Sequence, residues 1–210
     1  MAGAWWAWLV ALALYVLFRA WYDNWRGPLT PAEVDELLAG AGQSPASSTT
    51  DPAALRAFLQ ADDGREFIMS NLVRVHPGEV PDPVTGQPRS GMDLLQDYGR
   101  GFVPLLLRHG GHPVMVMRKV GGYVDAWNTP PDPGWHIVGA MRYRSRRDMM
   151  HLARHPRLRE VHPFKTAGTQ MTFSFPAQPL MGLALQPRAS VALLLALAAA
   201  LVHLGSLLAR

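Results

Sequence analysis

The stretch GWHIVGAMRYRSRRDMMHLARHPRLREVHPFKTAGTQMTFSFP, residues 134–176, decides how the rest of this 210-residue chain is read. Its first part, HIVGAMRY, alternates: Ile137, Gly139, Met141 and Tyr143 share one side of an extended chain, and Val138, Ala140 and Arg142 the other. That period of two is the mark of a half-buried strand. Ser145 followed by Asp148 opens a helix that carries Met149, Leu152 and Ala153, and His155-Pro156 ends its pattern. The segment from Pro156 to Thr166 reads as a turn. QMTFSF then alternates again, with Met171, Phe173 and Phe175 on one side.

The residues upstream repeat the plan. FIMSNLVRV, residues 67–75, reads as a strand with apolar residues on both faces. The run from Gly91 to Gly111 reads as a helix that buries Met92, Leu95, Gly99, Phe102 and Leu106 and stops at Gly110-Gly111. PVMVMRKV, residues 113–120, supplies the next strand. The order strand, helix, strand, strand, helix, strand predicts an α+β, ferredoxin-like βαββαβ domain over residues 65–178.

Outside it the composition changes. Ala4–Trp21 and Ala189–Ala209 are apolar for about the length a bilayer requires, and predict an N-terminal and a C-terminal transmembrane helix within residues 1–26 and 179–210. No Lys or Arg precedes the first run and no A-x-A-like site follows it, so a membrane span fits better than a secretory signal. Arg19, Arg26 and Arg188 flank the spans on the domain side, which places the central domain in the cytoplasm. Residues 27–64 read as a helical tether: Thr30-Pro31-Ala32-Glu33 is a capping box, Asp51-Pro52 starts a second helix, and GAGQSPASSTT between them is flexible in composition. The absence of cysteine excludes disulfides and thiolate chemistry.

Residues 66–176 resemble the dimeric α/β-barrel superfamily and, within it, the small DUF1330-like domains of unknown function. The resemblance rests on Tyr98-Gly99 ahead of Leu106-Leu107-Arg108-His109-Gly110-Gly111, on the Ser-Arg-Arg-Asp helix start at Ser145, on His155-Pro156 and on the final strand. It implies a homodimer that packs sheet against sheet. Some branches of the superfamily are monooxygenases, isomerases or haem-degrading enzymes, but the resemblance assigns no catalytic residue here.

Two loops exceed what tight connections need, His76–Gly91 and Gly121–Trp135. A right-handed crossover gathers both at one end of the sheet, with the Pro156–Thr166 turn. His76, Asp82, Tyr123, Asp125, Trp127, Trp135, His136, His162 and Lys165 belong to that end. The expectation is a pocket for a lipophilic small molecule, with Tyr123, Trp127 and Trp135 as its walls and His76, Asp125 and His162 as acid–base groups. The rival class is a non-catalytic scaffold or accessory subunit that docks membrane-protein partners.

His151 and His155 share a helix face and His162 follows, a spacing that admits a zinc site. With no His-Glu-x-x-His and two of the three histidines ahead of proline, the reading is no metal and no cofactor. Arg142, Arg144, Arg146 and Arg147 form a basic cluster within a chain of net charge +4. Lipid headgroups are the phosphates expected to meet it, rather than nucleic acid, with a plain solvated face as the alternative.

Overall fold

The computed structural model describes residues 4–40, 42, 49–180 and 186–209, and they fall into two compact units. The first, within residues 1–25 and 179–210, is a helical hairpin of α1 (Trp5–Tyr22) and α7 (Pro187–Leu208). Both helices are long and apolar enough to cross a membrane. They run antiparallel and are joined by polar contacts towards both ends. His203 accepts a hydrogen bond from Trp8 Nε1 at 3.3 Å and lies edge-on to Trp5, so this polar residue of an apolar run marks a helix contact. Towards the other end Asp23 meets Arg188 Nε at 2.7 Å and Arg19 Nε at 2.5 Å, and the Arg188 guanidinium covers the Tyr22 ring.

The second unit, residues 26–178, holds a four-stranded antiparallel sheet in the order β4-β5-β1-β6. The strands are β1 (Phe67–Val75), β4 (His112–Arg118), β5 (Ile137–Tyr143) and β6 (Thr169–Ala177), close to the spans that the sequence predicts. Helix α4 (Gly91–Arg108) links β1 to β4, and α5 (Arg146–Ala153) and α6 (Pro156–Gly168) link β5 to β6. Ser145 caps α5 as its spacing with Asp148 predicts: its Oγ accepts from Asp148 N at 3.1 Å and donates to the Asp148 carboxylate at 2.6 Å.

Two loop readings need correction. The segment read as a turn from Pro156 is α6, a thirteen-residue helix with Pro156 in its first turn and His155 as its cap, accepting from Arg157 N at 3.1 Å. The long loop after β1 contains a small hairpin of β2 (Glu79–Pro81) and β3 (Pro88–Ser90). Asp82 closes its turn by accepting from Val84 N and Thr85 N and pairing with Arg89 at 2.7 Å.

One face of the sheet is covered. Phe67 stacks on Tyr143, and both pack with Phe102, Leu105 and Leu106 of α4 and Leu158 and Val161 of α6. In α4 the buried stripe is Gly91, Leu94, Phe102, Leu105 and Leu106; of the five positions expected inside, Phe102 and Leu106 are buried and Met92 is exposed. Where α6 ends and β6 begins, backbones meet: a Cβ on Gly168 would lie 2.5 Å from the Gly91 carbonyl oxygen, so only glycine fits there.

The segment read as a tether packs into this unit. Helix α2 (Pro31–Ala39) starts at the Thr30–Glu33 capping box, and α3 (Pro52–Gln60) starts at Asp51. Val34, Leu37 and Leu59 form a second core with Met150 of α5, and Phe58 lies edge-on to Phe67. Their apolar stripes are buried against the sheet-bearing layer, which a free linker does not do. Most of GAGQSPASSTT between them lies outside the described residues.

Candidate functional site

The expected end of the sheet exists. β1 and β4 finish where β5 and β6 begin, as the pairs Val73 with Ile137, Val75 with Thr169 and Arg118 with Ile137 show. His76 follows β1 there, its backbone N–H donating to Gly168 O at 2.9 Å and its Nδ1 3.0 Å from Pro77 O. The expected acid–base set does not assemble, however. Among the described residues no hydrogen bond, ion pair or ring contact joins His76, Asp125 and His162 to one another. Asp125 stands on an exposed loop, and His162 sits within α6 because the turn that was to carry it is helical. Its imidazole lies 3.3 Å from Thr166 Oγ1 and edge-on to Tyr98, beside a shallow depression lined by His162, Pro163, Thr166 and Ala167. Burial, and then the Lys165 charge, hold His162 below the usual histidine range, and burial also lowers Lys165. Among the described residues no group of three or more His, Asp or Glu is placed to hold a metal ion.

The aromatic trio also divides. Trp127 is 84% exposed, and Tyr123 sits under the Lys119 ammonium, which pairs with Asp132. Trp135 alone is enclosed, 7% exposed, and it meets Phe173 edge-to-face with ring centroids 5.1 Å apart. Phe173 is paired with Leu72, and Phe175 with Ser70, on the face of the sheet opposite to Phe67 and the helices. Trp135 therefore belongs to the uncovered face.

That face is the main surface feature of the unit. Residues opposite each other in antiparallel pairs point the same way. The register thus places Ile68 and Leu72 of β1, Val138 and Ala140 of β5, Met115 and Met117 of β4, and Phe173 and Phe175 of β6 together. Met115, Met117, Phe173 and Phe175 remain 45–48% exposed, and the two phenylalanine rings stack at 6.0 Å. Sequence alternation identified Met171, Phe173 and Phe175 as one set; the parity of the strand register was the signal that would have joined the other strands to it.

The basic cluster is a second correction. Arg142, Arg146 and Arg147 are buried. Arg142 pairs with Glu66 at 2.8 Å, Arg144 with Asp148 at 2.6 Å, Arg146 with Asp62 at 3.3 Å and Arg147 with Glu33 at 3.1 Å. Arg146 also donates to Phe58 O, and its guanidinium lies 4.4 Å from the centroid of the Phe58 ring. A lipid headgroup would have to displace these internal carboxylates. The guanidiniums instead fasten α2 and α3 to α5 and the end of β5.

Glu33 and the hairpin carboxylate Asp82 set the acid response. Glu33 is held at about 2, below its ordinary 4.5, by hydrogen bonds from Thr30 and then Arg147. Asp82 is held at about 2, below 3.8, by Thr85 and Arg89. Groups with a depressed folded pKa contribute stability that is full above their unfolded pKa and is lost as pH falls towards the folded one. Stability is expected to drop between about pH 4.5 and pH 2, and the double variant Glu33→Gln/Asp82→Asn to show a flatter acid limb in denaturant titrations.

No protein-family model matches the chain, and no curated protein matches it. Among solved structures, the crystal structure of RPA0582, a protein of unknown function from Rhodopseudomonas palustris, is 24% identical with a TM-score of 0.53, covering 63% of this chain and 96% of that one. The methylated RPA0582 protein gives 22% identity and a TM-score of 0.54, with 64% and 96% covered. The likeness is one of fold: an α+β unit with a four-stranded antiparallel sheet, which this chain carries together with two long apolar terminal helices.

Proposed function

We propose that residues 65–178 form a ferredoxin-like, DUF1330-like domain fixed to the membrane by the α1–α7 hairpin, and that two copies pair sheet to sheet as a dimeric α/β barrel enclosing a lipophilic small molecule. The observation that carries this reading is the uncovered face of Met115, Met117, Leu72, Phe173 and Phe175, closed at one end by Trp135. A contiguous exposed apolar face marks an interaction surface. Methionine side chains adapt to varied apolar shapes, and aromatic ones supply large apolar contact area. The strand order β4-β5-β1-β6, with β1 and β4 each antiparallel to β5 and both crossovers helical, supports the ferredoxin-like assignment. A second copy is the occupant because an all-antiparallel sheet with one bare face is complementary to itself about a two-fold axis. The full-length chain in detergent should weigh two copies in light scattering; a stable single copy at micromolar concentration would remove the barrel.

The domain lies on the cytoplasmic side in this reading. A single cysteine at Val84, 75% exposed in the β2–β3 turn, tests it in this cysteine-free chain. An impermeant thiol reagent should label it only after lysis, and labelling in intact cells would reverse the orientation. The separation of His76, Asp125 and His162 favours a second reading, in which the face docks membrane-protein partners without catalysis. Co-purification of a small molecule with the two-copy form would decide against it.

A further inference from the structure

We infer that Arg74 makes the uncovered sheet face a site for an amphipathic anion, a carboxylate or phosphate head on an apolar chain. Arg74 lies on β1, paired with Met171, on the same face as Leu72 and Phe173. Its guanidinium runs past Gly134, where a Cβ would lie 3.8 Å from Arg74 Nε, next to the residue that carries the enclosed Trp135 ring. The side chain is half-buried, and among the described residues it has no hydrogen bond, ion pair or ring contact. Arg142, the arginine towards the other end of the same face, is neutralised by Glu66 at 2.8 Å. The face therefore carries a free cation at one end, and from it an apolar track of Leu72, Phe173 and Phe175 runs down the strands. Arg74 to Ile68 is six residues, roughly 20 Å of extended chain.

The pairing of two copies sharpens the point, and the inference rests on that reading. Covering this face removes water from Arg74, and an unpaired guanidinium taken out of water is strongly disfavoured. The opposing sheet offers no carboxylate in return: none of the four strands contains Asp or Glu. With no strand carboxylate to answer it, the charge is left for a ligand to meet. The fork geometry of a guanidinium matches a carboxylate or a phosphate in a bidentate pair, while the Phe and Met surface accepts the chain.

The test uses full-length protein in neutral phosphatidylcholine nanodiscs, with binding of decanoate, decyl phosphate and decanol corrected for protein-free discs. Both anions should bind about tenfold or more tightly than decanol, and Arg74→Gln should bring them down to the decanol level with decanol itself unchanged. Arg74→Lys, which keeps the charge but loses the fork, should fall between. Preference for decyl phosphate would point to a phospholipid-type source and preference for decanoate to a free fatty acid; either supports the site. Equal affinity for anions and alcohol in the wild type, or anion binding unaffected by Arg74→Gln, overturns it. Loss of the two-copy mass in Arg74→Gln with anion binding intact also overturns it, by assigning the guanidinium to the partner copy. If no amphiphile binds while the two-copy mass persists, this inference fails and the pairing stands; a single copy that still binds the anions selectively reverses that outcome.

Discussion

Asp62→Ala is expected to cost about 3 kcal/mol of folding stability, the effect of leaving a buried charge without its partner. The Asp62 side chain is 1% exposed; it accepts from Leu29 N at 2.8 Å and Gly64 N at 3.2 Å and lies 3.3 Å from Arg146 Nε. It therefore ties the start of α2, the turn before β1 and the first turn of α5 in one place. The Nε group has no hydrogen bond within the described residues, so the carboxylate acts on Arg146 through charge and through the loop it holds. Asp63 stands 3.9 Å from the same guanidinium and softens the loss. Asp35→Ala makes the contrast: its pair with Arg56 is solvent-exposed at 3.0 Å and should cost about 0.5 kcal/mol or less. Urea titrations in detergent, followed by near-ultraviolet dichroism, separate the two. Equal costs would mean that residues 27–64 are not fastened to the sheet-bearing layer.

The second large effect concerns association. Phe173→Glu/Phe175→Glu places two carboxylates on adjacent positions of the uncovered face, both already close to half exposed. The separate domain tolerates them because they reach water. A sheet-to-sheet contact does not, since each copy would bury two charges with only Arg74 in reach to answer them. The proposed dimer should weaken at least a hundredfold, read as a shift from two copies to one in light scattering at micromolar concentration, with the melting of the domain little changed. Unaltered mass would show that association runs through the hairpin or the helical layer.

The strands and the helix starts were legible because they depend on neighbours in sequence. Alternation gave β5 and β6, a run apolar on both faces gave β1, and Ser145 with Asp148 gave the start of α5. Helix α6 was missed because Pro156 and Pro163 break the apolar period; the available sign was that Pro156 follows a capping histidine and sits where a helix accepts proline. The arginine cluster was misread for a different reason. Glu33 lies 114 positions from Arg147, and Glu66 lies 76 from Arg142, so charge density along the chain says nothing about who answers each charge. The site suffered likewise. Trp135 and Trp127 stand in one Pro-rich loop with the same apparent role, and tertiary packing alone puts one against Phe173 and leaves the other exposed.

The central claim is that the bare face of the sheet is where two copies meet, and single cysteines in this cysteine-free chain test it in native membranes. Cysteines placed in turn at Leu72, Met115 and Phe173 lie on the uncovered face, and one at Val103 lies in the helical layer. Mild oxidation should give a crosslinked species of twice the chain mass from the uncovered-face positions and none from Val103. Crosslinking at Val103 with none at the three face positions would contradict the account.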